Sequence, residues 1–129
     1  MTHLLNALAQ AVGLVLAAAT RRTTTLTGTA IDLLAYEGVG LVLLNASAGT
    51  GTTPTLDVKL QHSDDNVTFA DVTSGAFTQV TDVAGTAGLQ VKRINVPDLK
   101  RYLRVLGTVD GTTPSFDYGV EFIGMKKAS

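Results

Sequence analysis

The sequence predicts an all-β domain, a sandwich or barrel, and three observations carry that prediction. Thr occurs 19 times and Gly 13 times in 129 residues. Thr is β-branched and suits a pleated, half-buried surface, while Gly supplies turns. From Thr23 onward, apolar runs of strand length alternate with turn signals, the mark of short strands packed in two layers. Where the alternation is cleanest its period is two. Leu56, Val58 and Leu60 oppose Asp57, Lys59 and Gln61, and Phe116, Tyr118, Val120 and Phe122 oppose Asp117, Gly119 and Glu121. Each of these strands therefore has one buried face and one facing water or a partner.

The length fits one domain, which divides into an N-terminal arm, residues 1–22, and a β-sandwich, residues 23–129. The arm reads LLNALAQAVGLVLAAAT from Leu4 to Thr20. A signal peptide would need a basic stretch ahead of this run, and Arg21 and Arg22 lie on the wrong side of it. A membrane span would be longer and less interrupted. Leu5, Leu8, Val12 and Val15 follow a 3-4-3 spacing that could form one helical face, although Gly13 weakens that helix and the segment could equally extend. Either it packs on its own domain or it reaches a neighbour. In the second case Leu5, Leu8, Val12, Val15, Arg21 and Arg22 are the candidate protein-interface residues.

Strands are expected near residues 23–30, 39–46, 55–62, 68–72, 76–80, 89–96, 102–109 and 115–124. Val39, Gly40, Leu41, Val42, Leu43 and Leu44 are apolar on both faces, which predicts a central strand covered twice. An internal repeat runs through this pattern. Asp32-Leu33-Leu34-Ala35-Tyr36 matches Asp98-Leu99-Lys100-Arg101-Tyr102, and Gly51-Thr52-Thr53-Pro54 recurs as Gly111-Thr112-Thr113-Pro114. The reading is of two similar strand–turn–strand units lying side by side in one sheet. In each, Asp tops a short turn, Leu and Tyr plug the core, and Pro opens the returning strand.

Chemistry is thinly supplied. With no Cys there are no disulfides, thiolate metal sites or cysteine nucleophiles, and two His cannot build a histidine-rich metal site. Ten basic residues against eleven acidic ones leave no surplus for nucleic acid. Ser63-Asp64-Asp65-Asn66 gathers oxygens that calcium could use, but lacks the spacing of a calcium loop and reads as turn chemistry. No Ser sits in a G-x-S-x-G elbow. The glycines of Gly49 to Thr53 lead into a strand instead of a phosphate-binding helix. Lys92, Arg93, Lys100, Arg101 and Arg104 crowd one stretch, which reads as a solvated outer face more readily than as an acid-binding patch. No enzyme activity, cofactor or metal is expected. With charged residues only 16% of the chain, its surface is poorly guarded against association.

The run Thr53-Pro54-Thr55-Leu56-Asp57-Val58-Lys59-Leu60-Gln61-His62-Ser63-Asp64-Asp65, continuing through Thr68-Phe69 to Asp71-Val72, resembles a pattern of small virion proteins of tailed bacteriophages. Lys100-Arg101-Tyr102-Leu103-Arg104-Val105 followed by Gly111-Thr112-Thr113-Pro114-Ser115 is similar to their C-terminal half. The resemblance covers roughly residues 32–122. It implies a jelly-roll-like antiparallel sandwich of about eight strands and a head decoration (cement) protein, located on the outer surface of the phage head. Its implied partner is the major capsid protein, with homo-oligomers on the capsid and neither nucleic acid nor membrane involved. A different class, a carbohydrate- or receptor-binding module of a tail or fibre, would want exposed aromatics to stack on sugar rings. Phe116, Tyr118 and Phe122 are expected in the core instead.

Overall fold

A computed structural model describes residues 11–127. Eight strands follow in order: β1 (Ala11–Arg22), β2 (Leu26–Thr27), β3 (Ile31–Asp32), β4 (Tyr36–Ala46), β5 (Thr50–Ser63), β6 (Ala70–Ala76), β7 (Gly88–Asn95) and β8 (Tyr102–Lys126). All strand pairings are antiparallel. Two 3-10 turns, Ala84–Thr86 and Val96–Asp98, flank β7.

The 25-residue β8 runs through both layers. Its first half pairs with β2 and β3 on one side and β5 on the other, with β6 beyond β5; this is sheet II. Its second half lies between β1 and β4, with β7 beyond β4; this is sheet I. Counting the halves of β8 separately, the sheet orders are β1-β8-β4-β7 and β2/β3-β8-β5-β6. That is jelly-roll winding, and the fold is an antiparallel β-sandwich.

The core forms where the inward faces meet. Sheet II supplies Leu56, Val58, Leu60, Leu103 and Val105, and sheet I supplies Val42, Leu44, Phe116, Tyr118, Val120 and Phe122, all buried. The two cleanest alternations in the sequence thus lie as expected. Tyr36 meets Phe122 edge to face, with centroids 5.4 Å apart. Packing of this kind adds to the area-based stabilisation of each ring.

Several local expectations change. Residues 11–22 form β1, extended and paired with β8, so the sandwich includes them and its strands do not begin at Thr23. Leu16 and Ala17 are buried in the core. Tertiary pairing outweighs the helical spacing because only the extended form satisfies the backbone against β8. The interval 23–30 holds only the short β2. Residues 76–80 form no strand of their own beyond a bridge from Val80 to Leu56. The second Gly-Thr-Thr-Pro lies inside continuous β8 and the first inside β5, so neither is a hairpin turn. Both are bulges, with Thr52 opposite Thr112 and register shifts around that pair.

The Asp-Leu-x-x-Tyr units behave as expected only in part. Asp32 Oδ1 accepts from the Leu34 N–H at 3.0 Å, and Leu33 and Tyr36 are buried. In the second unit Leu99 and Tyr102 are only half-buried. The two units also touch: Arg101 grips Asp32 through two hydrogen bonds of 3.1 and 2.8 Å.

Candidate interaction surface

The two outer faces differ in kind. On sheet II, Lys59 Nζ lies 2.9 Å from Asp71 Oδ2, and Gln61 donates to the same carboxylate at 3.0 Å. Arg104 donates to Gln61 Oε1 at 3.0 Å, and its guanidinium carbon stands 3.8 Å from the Phe69 ring centroid. Gln79 donates to both oxygens of Asp57. The polar groups there satisfy one another, which is how a sheet face meets water.

The outer face of sheet I carries most of the exposed hydrophobic residues, interspersed with Glu121, Arg93 and Asn45. Cross-strand register places Val15 beside Glu121, Glu121 beside Leu43 and Leu43 beside Val91 in one row. The next row runs Gly13, Ile123, Leu41, Arg93. Asn45 separates Gly119 from Leu89 in a third. Val15 is 61% exposed, Leu89 60%, Val91 55%, Val39 40% and Leu41 37%. Scattered exposed hydrophobics need no explanation, but adjacent ones on a single face mark an interaction surface. The doubly covered central strand is therefore corrected: β4 is central within its sheet, yet among the described residues no layer covers Val39 and Leu41.

The β7 side chains show why. Ile94 is buried, so the period of two turns Lys92 and Gln90 to the inner side and Val91 and Leu89 outward. Gln90 spans the gap at the sheet edge, its Oε1 accepting from the Thr78 N–H at 2.8 Å and its Nε2 donating to Thr78 O at 2.9 Å. Lys92 lies over the Phe77 ring at 5.5 Å. Gln90 and Lys92 thus occupy the inner rim while Leu89 and Val91 take the outer face, the reverse of what hydrophobicity alone suggests for these four residues. The signal that could have revealed this was the register set by Ile94.

One end of this face is a groove of about 860 Å³. Its walls include Val15, Leu43 and Leu89, small residues such as Ala18, Ala19 and Gly119, and the charged Arg21, Asp117 and Glu121. Two bulges in β1 open it. Between Val15 and Ala17, and again between Ala17 and Thr20, β1 has one more residue than β8. A bulge re-aims side chains and bends its strand. At Gly119 a Cβ would lie 3.0 Å from Ala19, so the strands approach closely there.

The six sequence-predicted interface residues do not share one surface. Leu5 and Leu8 lie outside the described residues. Val12 is half-buried against the core, whereas Val15 points outward into the groove. An odd spacing along a strand puts two residues on opposite faces. Arg21 lines the groove and pairs with Asp117 at 3.1 Å, a contact that raises its pKa. Arg22 turns away, its guanidinium carbon 5.4 Å from the Tyr118 ring centroid.

The remaining titratable groups are occupied structurally. Ser63-Asp64-Asp65-Asn66 is a turn: Asp65 Oδ1 accepts from the Val67 and Thr68 N–H groups at 2.9 Å and from the Ser63 hydroxyl at 2.8 Å. These donors, the Thr68 amide foremost, lower the Asp65 carboxyl to about 2. His62 Nδ1 accepts from the Lys100 N–H at 3.1 Å, and burial lowers its pKa. The basic stretch is dispersed: Lys100 faces Asp64 at 3.7 Å, Arg101 holds Asp32, and Arg104 covers Phe69. Among the described residues no three His, Cys, Asp or Glu gather as a metal site. No helix among them is long and apolar enough to cross a membrane.

The profile of the Bbp16 family matches residues 7–120. The chain belongs to the Bbp16 family. Membership covers both sheets of the sandwich, from before β1 into the second half of β8. No curated protein sequence matches the chain significantly.

Similar solved structures share the fold of this Bbp16-family chain. The exported protein XepA of PBSX superposes with a TM-score of 0.57 at 18% identity, covering 92% of this chain and 38% of XepA. The SPBc2 prophage-derived protein YomS gives a TM-score of 0.50 at 10% identity, covering 88% of this chain and 93% of YomS. The VP2 subviral particle of infectious bursal disease virus gives 0.54 at 11% identity, covering 90% of this chain and 32% of that one. The chain therefore spans less than two thirds of XepA and of VP2.

Proposed function

We propose that this protein is a capsid decoration (cement) protein of a tailed bacteriophage, binding the outer surface of the assembled head and strengthening contacts between capsomers. The observation that carries the reading is the bare face of sheet I with its exposed hydrophobic residues, set opposite a self-satisfied polar face on sheet II. One layer meets water and the other is built to be covered. The resemblance of residues 32–122 to small virion proteins and the jelly-roll fold shared with a viral particle protein and prophage proteins support it. On this reading the partner is the major capsid protein, and the chain is not an enzyme and carries no cofactor.

The physics is mass action. A protein that binds only the assembled lattice stabilises it by its binding free energy, and many copies multiply a modest local effect. Covering one exposed Leu or Val contributes on the order of 1–2 kcal/mol. A preformed sheet face also loses little conformational entropy on docking. The aromatic residues favour this over a sugar-binding module: Tyr36, Phe77, Phe116, Tyr118 and Phe122 are buried, and Phe69 lies under Arg104.

The test is binding of the purified chain to phage heads that lack it. Leu41→Glu and Val91→Lys change exposed positions of sheet I and should keep the fold while weakening head binding by at least about tenfold, the effect of losing about 1.4 kcal/mol. Thr108→Lys, on the outer face of sheet II, should bind like the unaltered chain. Full occupancy by Leu41→Glu would remove sheet I as the contact face. Failure of every version, including the unaltered chain, to bind heads would remove the decoration role itself.

A further inference from the structure

The groove between β1 and β4 is shaped for bulky apolar side chains from an extended segment. Its small residues, Ala18, Ala19 and Gly119, leave room that Val15, Leu43 and Leu89 wall with hydrocarbon. Asn45 and Ser47 at its margin can satisfy amide groups of whatever enters. Such a groove on a sheet face takes an extended peptide through its alternate side chains.

A segment with that chemistry precedes β1. Residues 1–10 read MTHLLNALAQ, with Leu4, Leu5, Ala7 and Leu8 and no Asp, Glu, Lys or Arg. The segment would therefore bring no charged side chain into the groove, whose own charged lining residues are Arg21, Asp117 and Glu121. Ten extended residues span about 33 Å. The groove follows β1 from Val15 to Arg21, about 20 Å at strand rise. The segment is thus long enough to fill the groove with residues left over as a connector.

Direction decides whose groove it fills. β1 enters the sheet at Ala11 opposite Met125, and the groove lies further along the same strand. To reach its own groove the chain would have to reverse just before Ala11. Leu8, Ala9, Gln10, Ala11 and Val12 include no Gly, Pro, Asp or Asn, the residues that make tight reversals. Continuing in line with β1 carries the segment away from its own domain.

We propose that the groove receives the N-terminal segment, residues 1–10, of a second copy of this chain, with Leu4 and Leu8, which share one face of an extended chain, as anchors against Val15, Leu43 and Leu89. This contact between copies occupies one end of the sheet I face. Val39, Leu41 and Ile123 stay free for the shell, so the contact stands or falls separately from head binding.

The test uses the full chain and measures its mass in solution by sedimentation at about 100 µM, well above a Kd of about 1 µM. The unaltered chain should associate. Leu8→Asp, which spoils an anchor, and Ala18→Arg, which fills the groove from an exposed position, should each weaken association by at least about tenfold, with a melting temperature unchanged when all are compared at a dilution where the unaltered chain is monomeric. Mixing the two variants should restore association, because each supplies what the other lacks. A monomeric unaltered chain whose melting temperature falls with Leu8→Asp would show the segment covering its own groove and overturn the proposal. So would an oligomer that persists in both variants, a monomer indifferent to either substitution, or no recovery on mixing.

Discussion

Gly51 and Gly111 lie diagonally across the Thr52–Thr112 pair of β5 and β8, each held in the left-handed region, at φ of 110° and 117°. A Cβ on Gly51 would lie 2.5 Å from Thr113 O, and one on Gly111 would lie 2.8 Å from Thr53 O. Thr53 and Thr113 repeat the symmetry, at φ of 48° and 47°. The duplicated Gly-Thr-Thr-Pro is thus a pair of opposed bulges. It bends both strands at one point, where β8 leaves sheet II for sheet I.

Either glycine should resist substitution. Gly51→Ala and Gly111→Ala combine left-handed strain with a backbone collision and should each cost about 2–4 kcal/mol. Thr53→Gly should stay within about 1 kcal/mol of the unaltered chain, since relieved strain offsets a looser unfolded state. Urea denaturation of the three variants measures this. Equal stability of Gly51→Ala and the unaltered chain would contradict the opposed-bulge geometry.

Truncation should separate two parts of the N-terminal region. Removing residues 1–9 leaves β1 whole and should leave the melting transition in place. Removing residues 1–22 deletes a strand paired along β8 together with buried Leu16, and should abolish cooperative unfolding. Leu16→Ala in the full chain should cost about 2–5 kcal/mol by cavity formation. Thermal melts followed by circular dichroism distinguish these outcomes.

Acid should loosen the β5–β6 turn. The Asp65 carboxyl is lowered from 3.8 to about 2 by the donors that surround it. A folded pKa below the unfolded one means that its contribution is complete above the unfolded value and is lost as pH falls toward the folded one. Asp32, lowered by Arg101, and Asp71, lowered by Gln61 and Lys59, act in the same direction. Stability should therefore fall between pH 3.8 and about 2, and Asp65→Asn should flatten part of that slope. Denaturation curves across this range check the prediction, and an unchanged slope in Asp65→Asn would remove Asp65 from the account.

The candidate surface was legible only at Val15 and Arg21. Val12 shares the apolar character of Val15, yet a strand turns them to opposite sides. Leu41 and Val91 were hidden for a different reason: apolar residues in strands suggest burial, and nothing local says that a second layer is missing. Leu5 and Leu8 entered through their 3-4-3 spacing with Val12 and Val15, and they lie outside the described residues.

What the sequence alone determined is the all-β class and the inward faces of β5 and the second half of β8, because a period of two is a local property that burial then enforces. It also determined the Ser63–Asn66 turn, whose side chains bond their own backbone. Only the tertiary structure decided that residues 11–22 complete a sheet and that Gly-Thr-Thr-Pro bends strands instead of ending them. It alone decided that Leu89 and Val91 look outward. Each of these depends on which strand lies alongside and which layer lies above, and such pairings join residues far apart in the chain.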